Sequence, residues 1–186
     1  QLQKLEELGL KFESVKGRGY RLSSPLDFLS AESIHLQLMG SIAPEIFIHD
    51  VIDSTNAEVL RAINNGAANN KFVVLAEMQQ SGRGRRGRQW VSPYGRNVYL
   101  SMPWSFERGM ASLDGLSLVV GLCVAKALGE HCVRPLQLKW PNDVLSDGRK
   151  LAGILLEIVG DPTGLSHVVI GIGINEKKKK EGGSTG

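Results

Sequence analysis

From Gly82 to Trp90 the chain reads GRGRRGRQW, the segment whose residue types and spacing most clearly imply chemistry. Gly82, Gly84 and Gly87 let backbone amides converge on an anion, while Arg83, Arg85, Arg86 and Arg88 supply charge and forked donors suited to phosphate or carboxylate oxygens. It is not a Walker A loop, which ends in Gly-Lys-Ser/Thr, nor a dinucleotide fingerprint at a helix start. By composition alone it also describes a solvated loop or a nonspecific RNA contact, but a single copy set between two predicted strands argues for a built site. Trp90 reads by default as a core or interface aromatic, with stacking on a ligand ring as the sharper alternative.

A second cluster is KWPNDV, Lys139 to Val144, followed by an Asp147-Gly148 turn and then RKLAGILLE. Pro141 stops strand pairing, so Asn142 and Asp143 can stand at a strand end with their polar groups turned into a cleft; the plainer reading is a structural Asn-Asp turn. Lys150 opens an otherwise apolar strand, where either a salt bridge or a ligand satisfies an ammonium. DSTN at Asp53 to Asn56 is explained as a helix cap alone. GIGIN at Gly171 to Asn175 would let a ligand lie against backbone, or let two strands pass closely.

Several elements must position these residues. IFIHDVI, FVVLAEM, NVYLSMPW, LQLKW, AGILLEIV and HVVIGIGI read as six strands. Ser54 or Thr55 caps a helix that buries Val59, Leu60 and Ile63 and stops at Gly66, and Ser112 to Leu128 reads as a more deeply buried helix. Upstream, Leu2, Leu5 and Leu8 have helical spacing with Gly9 as a stop, and FESVKGRGYRL reads as two strands around Gly17 and Gly19, so residues 1–25 have the form of the end of a winged helix. Ser30 to Met39 reads as a connecting helix, and EKKKKEGGSTG as a solvated low-complexity tail.

At 186 residues, 42% hydrophobic and 22% charged, the chain has the composition of a globular domain with a small appendage. Its net charge of +3 is concentrated in the arginine block and in Lys177 to Lys180. Cys123 and Cys132 lack CxxC spacing and the sequence has no paired histidines, which argues against a disulfide framework and a metal site and suits a reducing cytoplasm. The longest apolar stretch, Leu113 to Leu128, is interrupted at Gly115, Ser117, Gly121 and Lys126, and no membrane association is expected.

In order, DSTN, EMQQSGRGRRGRQW, KWPNDV, RKLAGILLE and GIGIN resemble the motif series of bacterial biotin protein ligases. Five motifs in sequence are far more specific than any one. The resemblance covers about residues 45–175, and VKGRGYRL resembles the wing of the longer members that double as biotin-operon repressors. It implies an α+β class, a mixed β-sheet flanked by helices in the class II synthetase-like manner. The chain then divides into a partial winged-helix remnant (1–25), a linker (26–44), the biotin ligase catalytic domain (45–175) and a disordered tail (176–186).

The family reaction joins the biotin carboxylate to the α-phosphorus of ATP, releasing pyrophosphate, and a carrier lysine then attacks the biotinyl-5′-AMP anhydride. By resemblance, Ser54, Thr55, Asn56 and Gln79 surround the ureido end of biotin, and Gly82, Arg83, Gly84 and Arg85 wrap the carboxyl-phosphate region. Lys150 holds the carboxylate and later an acyl-phosphate oxygen, and Gly153, Leu155 and Gly171 run along biotin. Arg86, Arg88 and Asn175 fall on the nucleotide side, Trp90 stacks near adenine, and Asn142 and Asp143 serve ATP and its Mg2+. Bringing two anions together needs cations, for which Arg83, Arg85 and Lys150 are the catalytic candidates; Asp143 can help deprotonate the acceptor lysine.

The implied partners are biotin, ATP and the biotin carboxyl carrier protein of acetyl-CoA carboxylase, with operator DNA only for an intact N-terminal domain; a homodimer is compatible with the sequence. After Asn175 the family pattern continues with more adenylate-contacting chain and a small β-barrel, so biotin binding is expected to be better retained than ATP binding. Rival readings are a DNA-binding repressor fragment, a lipoate-type ligase with the same adenylate chemistry, and a nonspecific RNA-binding protein, against which the 6% aromatic content counts.

Overall fold

All six apolar runs form strands, and a seventh joins them. The computed structural model describes residues 2–38, 43–67, 71–106, 115–132, 134–160 and 166–175; the expected tail 176–186, Met39 of the expected connecting helix and residues 112–114 of the expected second helix lie outside these. In chain order the elements are α1 (Leu2–Glu7), β1 (Phe12–Val15), β2 (Gly19–Leu22), α2 (Ala31–Gln37), β3 (Glu45–Ile52), α3 (Thr55–Asn64), β4 (Phe72–Gln79), a 3-10 turn (Arg85–Gly87), β5 (Asn97–Phe106), α4 (Leu116–Gly129), β6 (Leu136–Lys139), β7 (Asp143–Ser146), β8 (Arg149–Gly160) and β9 (Ser166–Asn175).

The large sheet has the order β3-β4-β5-β9-β8-β7-β6. Only β3 and β4 run parallel, joined through α3; the remaining neighbours are antiparallel, so the sheet is mixed as expected. The unforeseen strand is β7. Its four residues carry Asp143 and Ser146 around Val144, too short and polar to alternate visibly, and the Asp147-Gly148 turn, with φ of 53° and 69°, closes a two-residue hairpin onto β8.

Side chains alternate across β9, and the two faces have different fates. Val168, Ile170 and Ile172 pack with Val144, Ala152, Ile154 and Val124 of α4, whereas Val169 packs with Val59 and Ile63 of α3 and with Phe72 and Val74 of β4. Continuing along the Val169 face, β9 presents Gly171 and Gly173, and their partners on β8 are Leu155 and Gly153. The apolar floor there gives way to bare backbone, and the site lies on it.

Helix α3 begins at Ser54, whose hydroxyl accepts from the Ala57 amide, and ends with Gly66 at φ +86°. The Gly66 amide donates to Ile63 O and the Ala67 amide to Ala62 O, a Schellman closure. The expectation that α4 is deeply buried needs correction. Gly121 and Val124 are its buried residues, while Val119 and Leu122 are 58% and 60% exposed, because one face rests on β6, β7 and β8 and nothing among the described residues covers the other. No helix among the described residues is long and apolar enough to cross a membrane.

The N-terminal segment forms the expected helix and hairpin, and the linker that follows it docks through a buried acid. The Leu29 amide donates to Glu77 Oε1 at 2.7 Å, and Phe28 meets Tyr94 edge-on. Glu77 is 5% exposed, and burial, the largest influence, pushes its carboxyl above the ordinary range. A raised carboxyl binds its proton more tightly folded than unfolded, so its contribution to stability is full below the ordinary value near 4.5 and lost as pH rises through the higher folded value. Glu77→Gln, which keeps the acceptor for Leu29, should raise the melting temperature at pH 7–8 by roughly 2–4 °C for each kcal/mol relieved. The gain should fade toward pH 4.5; an unchanged melt at pH 8 would show that Glu77 carries no such burden.

Candidate active site

The DSTN residues are a cap and more than a cap. Ser54, Thr55 and Asn56 are all buried at the N-terminal turn of α3, where the chain leaves β3 and turns back over the sheet. Gln79, at the end of β4, accepts from the Thr55 amide at 2.9 Å with Oε1 and donates to Ser92 Oγ at 3.3 Å with Nε2. Ser101 Oγ, on β5, lies 2.7 Å from Thr55 Oγ1 and 2.6 Å from Asn56 Oδ1. Asn56 Nδ2 donates to Glu157 Oε2 at 2.7 Å, and the same carboxylate meets Arg83 Nη1 at 3.2 Å.

Asp53 braces this turn from outside. It accepts both forks of Arg61 at 2.9 Å and the Ser54 amide at 2.7 Å. The Arg61 hydrogen bonds, as the largest cause, hold the Asp53 carboxyl down to about 2 and push the Arg61 guanidinium up. The resulting stabilisation is present above the ordinary value of 3.8 and lost as pH falls through about 2; both partners are about half exposed, so salt weakens it.

The arginine loop is a narrow hairpin. The Trp90 amide donates to Gly82 O at 2.8 Å, Gly84 N to Arg88 O at 2.7 Å and Arg88 N to Arg85 O at 3.3 Å, with positive φ at Arg86 and Gly87 on the tip. The Gly84 amide is therefore spent inside the loop rather than offered to an anion. Gly82 is buried, with room for no side chain: an added methyl would lie 2.6 Å from Trp90 O.

Trp90 lies on the glycine floor. A methyl at Gly173 would sit 2.5 Å from its Cε2, and one at Gly153 would sit 2.8 Å from its Cζ3. A methyl at Gly171 would run into the Asn56 amide. The GIGIN and LAGIL glycines are thus a trough for side chains from the facing elements, not a strand crossing. Lys150 Nζ stands 4.9 Å from the Trp90 ring centroid and 2.8 Å from Asp143 Oδ1, so the salt-bridged reading of Lys150 and its placement in the cleft hold together. Asn142 is structural as well: its Nδ2 donates to Ile154 O at 2.7 Å, and its carbonyl accepts the Ile154 amide at 2.9 Å.

Two adjoining cavities result. The inner one, about 50 Å³, is lined by Ser54, Thr55, Asn56, Gln79, Arg83, Gly153, Leu155 and Gly171 among others. The outer one, about 390 Å³, adds Arg86, Arg88, Lys139, Trp140 and Asp143. Gly84, Arg85, Trp90, Asn142 and Lys150 line both. Of the residues that the resemblance assigns to biotin or the nucleotide, Gly82 and Asn175 line neither. Gly82 supports the loop from beneath, and Asn175 Nδ2 donates to the Lys150 carbonyl at 3.2 Å.

Sequence reasoning missed Ser92, Ser101 and Glu157. Ser101 sits in an apolar strand without local signal, but a glutamate inside AGILLEIV is an anomaly that could have flagged a buried partner. The inner end of the cleft is neutral and densely hydrogen-bonded; the outer end is cationic. Trp90 Nε1 and Asp143 Oδ1 are the buried side-chain atoms among the described residues that make no hydrogen bond of good geometry; Asp143 Oδ1 faces the Lys150 ammonium as an ion pair. Leaving the indole N–H unpaired costs about 1–3 kcal/mol, a cost that a ligand acceptor would offset.

The profile of the biotin/lipoate A/B protein ligase family matches residues 48–175. The bifunctional ligase/repressor BirA of Salmonella typhimurium is 45% identical over 175 residues, 94% of this chain and 53% of that protein. The biotin–[acetyl-CoA-carboxylase] ligase of Paracoccus denitrificans is 45% identical over 125 residues, 66% of this chain and 51% of that protein. Among solved structures, the biotin protein ligase from Aquifex aeolicus in complex with biotin and ATP superposes with a TM-score of 0.56 at 32% identity, covering 74% of this chain and 55% of that one. The chain spans about half the length of the curated relatives it matches. With five motifs gathered around one cleft and the profile matched across that fold, the chain belongs to the biotin/lipoate A/B protein ligase family.

Proposed function

We propose that this chain is the biotin- and ATP-binding part of a biotin protein ligase, which forms biotinyl-5′-AMP and passes biotin to a lysine of a biotin carboxyl carrier protein. The observation that carries the reading is the polarity of the cleft. A neutral end built from Thr55, Asn56 and Gln79 suits the donors and acceptor of a cyclic urea, and a cationic end with Arg85 and Lys150 suits a carboxylate and a phosphate. The relatives support it by name, as ligases of biotin to acetyl-CoA carboxylase and as a ligase/repressor.

In this reading the inner cavity, beside the side chains seated in the glycine trough, holds the bicyclic ring, and Lys150 exchanges Asp143 for the biotin carboxylate as it enters. Arg83 and Arg85 offset the repulsion between that carboxylate and the α-phosphate, and Arg86, Arg88, Asn142 and Trp90 take the nucleotide in the outer cavity. Among the described residues no group of three or more His, Cys, Asp or Glu side chains could cage a metal. A magnesium ion would therefore arrive with the triphosphate, with Asp143 as the chain's carboxylate ligand, and would supply charge neutralisation of the phosphates.

The helix and hairpin over 2–22 support assigning residues 1–25 to the end of a winged helix, with operator DNA a partner of the whole protein. The free thiols of Cys123 and Cys132 suit a reducing, cytoplasmic setting. A carrier domain incubated with this chain, biotin and ATP-magnesium should gain one biotinyl mass on lysine by mass spectrometry; biotin-independent modification would sink the assignment. Arg85→Gly removes one of the two cations shared by both cavities and should raise escape of the adenylate, read as untargeted lysine biotinylation, by about tenfold or more, the loss of one charge-assisted contact. No rise in untargeted labelling would remove Arg85 from that role.

A further inference from the structure

We propose that Glu157 is a positioning residue: it sets the direction of a buried hydrogen-bond chain so that the Thr55 hydroxyl can only accept from a ligand, and the inner cavity thereby selects a ligand presenting an N–H there. The inference rests on the biotin reading above and deepens it to the origin of selectivity for a urea.

The chain of contacts runs Glu157, Asn56, Ser101, Thr55. A carboxylate paired with Arg83 offers lone pairs and no proton, so the amide edge that faces it must be Nδ2, as the 2.7 Å contact has it. That leaves Oδ1 of Asn56 toward Ser101. The amide is 4% exposed and seated on Gly171, so it has no solvent to compensate a reversed orientation. Ser101 is fully buried and has one hydroxyl proton; with Oδ1 at 2.6 Å able only to accept, the proton goes to Asn56. Ser101 Oγ then turns a lone pair to Thr55 Oγ1 at 2.7 Å, and Thr55 must donate to it. Gln79 Oε1, which also accepts the Thr55 amide, is a second, longer acceptor for that proton at 3.1 Å, and it too lies on the protein side.

With its proton committed inward, the Thr55 hydroxyl shows the cavity only lone pairs. A ureido N–H satisfies them; a ring oxygen or a dithiolane sulfur in the same place does not. Without the carboxylate, Asn56 can turn over, donate to Ser101, and pass the reversal on, so that only the longer Gln79 contact keeps the Thr55 proton from the ligand and the preference weakens. Glu157 touches no ligand in this scheme; it acts through Asn56.

The test is calorimetric, with the full 186-residue chain and three ligands: biotin and the two isosteres in which one or the other ureido N–H is replaced by ring oxygen. For the parent chain one isostere should bind about a hundredfold or more weakly than biotin, and Glu157→Leu should cut that ratio by about tenfold, with the Kd for ATP unchanged. Glu157→Gln, able to offer either edge to Asn56, should fall between them. If Glu157→Leu does not fold, Glu157→Gln alone should narrow the ratio at least about threefold. An unchanged ratio in a folded variant overturns the proposal, since a merely structural glutamate would weaken all three ligands together. A parent chain that binds lipoate and not biotin overturns the biotin reading itself, whereas one that binds biotin and both isosteres alike overturns this inference alone.

Discussion

Lys150→Gln should slow adenylate formation by about 10²–10³-fold, the scale seen when one preorganised charge stabiliser is removed from a reacting oxyanion. Lys150 is, with Arg85, a cation lining both cavities, 2.8 Å from Asp143 and over the Trp90 ring, so it meets a carboxylate that leaves the inner cavity toward a nucleotide in the outer one. Glutamine keeps a donor for Asp143 and most of the packing on Gly153 but not the charge. The fold should therefore survive while biotin affinity falls and biotin-dependent pyrophosphate release from ATP collapses. A variant that releases pyrophosphate within a few-fold of the parent rate would take the Lys150 ammonium off the reaction path.

Gly173→Ala should cost about 1–3 kcal/mol of stability, the usual scale for forcing a methyl into a packed site, and abolish ligand binding by lifting Trp90. The added methyl would lie 2.5 Å and 2.6 Å from the indole Cε2 and Cζ2, and an indole cannot yield by rotamer at its far end as a lysine can. Gly84→Ala is the matched control, since a methyl there would meet Arg88 O at 3.4 Å and nothing closer. A thermal melt with tryptophan fluorescence separates the two; an unshifted melt and spectrum for Gly173→Ala would mean that the indole does not lie on that strand.

How much of this was readable beforehand follows from the range of the forces involved. Capping by Ser54, burial of Val59 and Ile63 and the stop at Gly66 are local, set within one helix, and the sequence announces them. The five motifs could be gathered to one site by resemblance. The network that joins them could not, because Ser101 and Glu157 lie 45 and 101 residues from Asn56 and meet it only through the sheet register. Strand β7 escaped because four residues with a polar start give alternation too little length. The burial of α4 was overestimated for a different reason: a helix apolar on nearly all sides carries no periodicity to say which face is covered.

Calorimetric titration of the chain with biotin, with lipoate as competitor, tests the central claim most directly, because it asks whether the neutral end of the cleft reads a urea. The expected result is binding of one biotin per chain, undisturbed by excess lipoate and weakened by Lys150→Gln. Binding of lipoate in place of biotin would contradict it, and would assign the cleft to the other ligand class of its family.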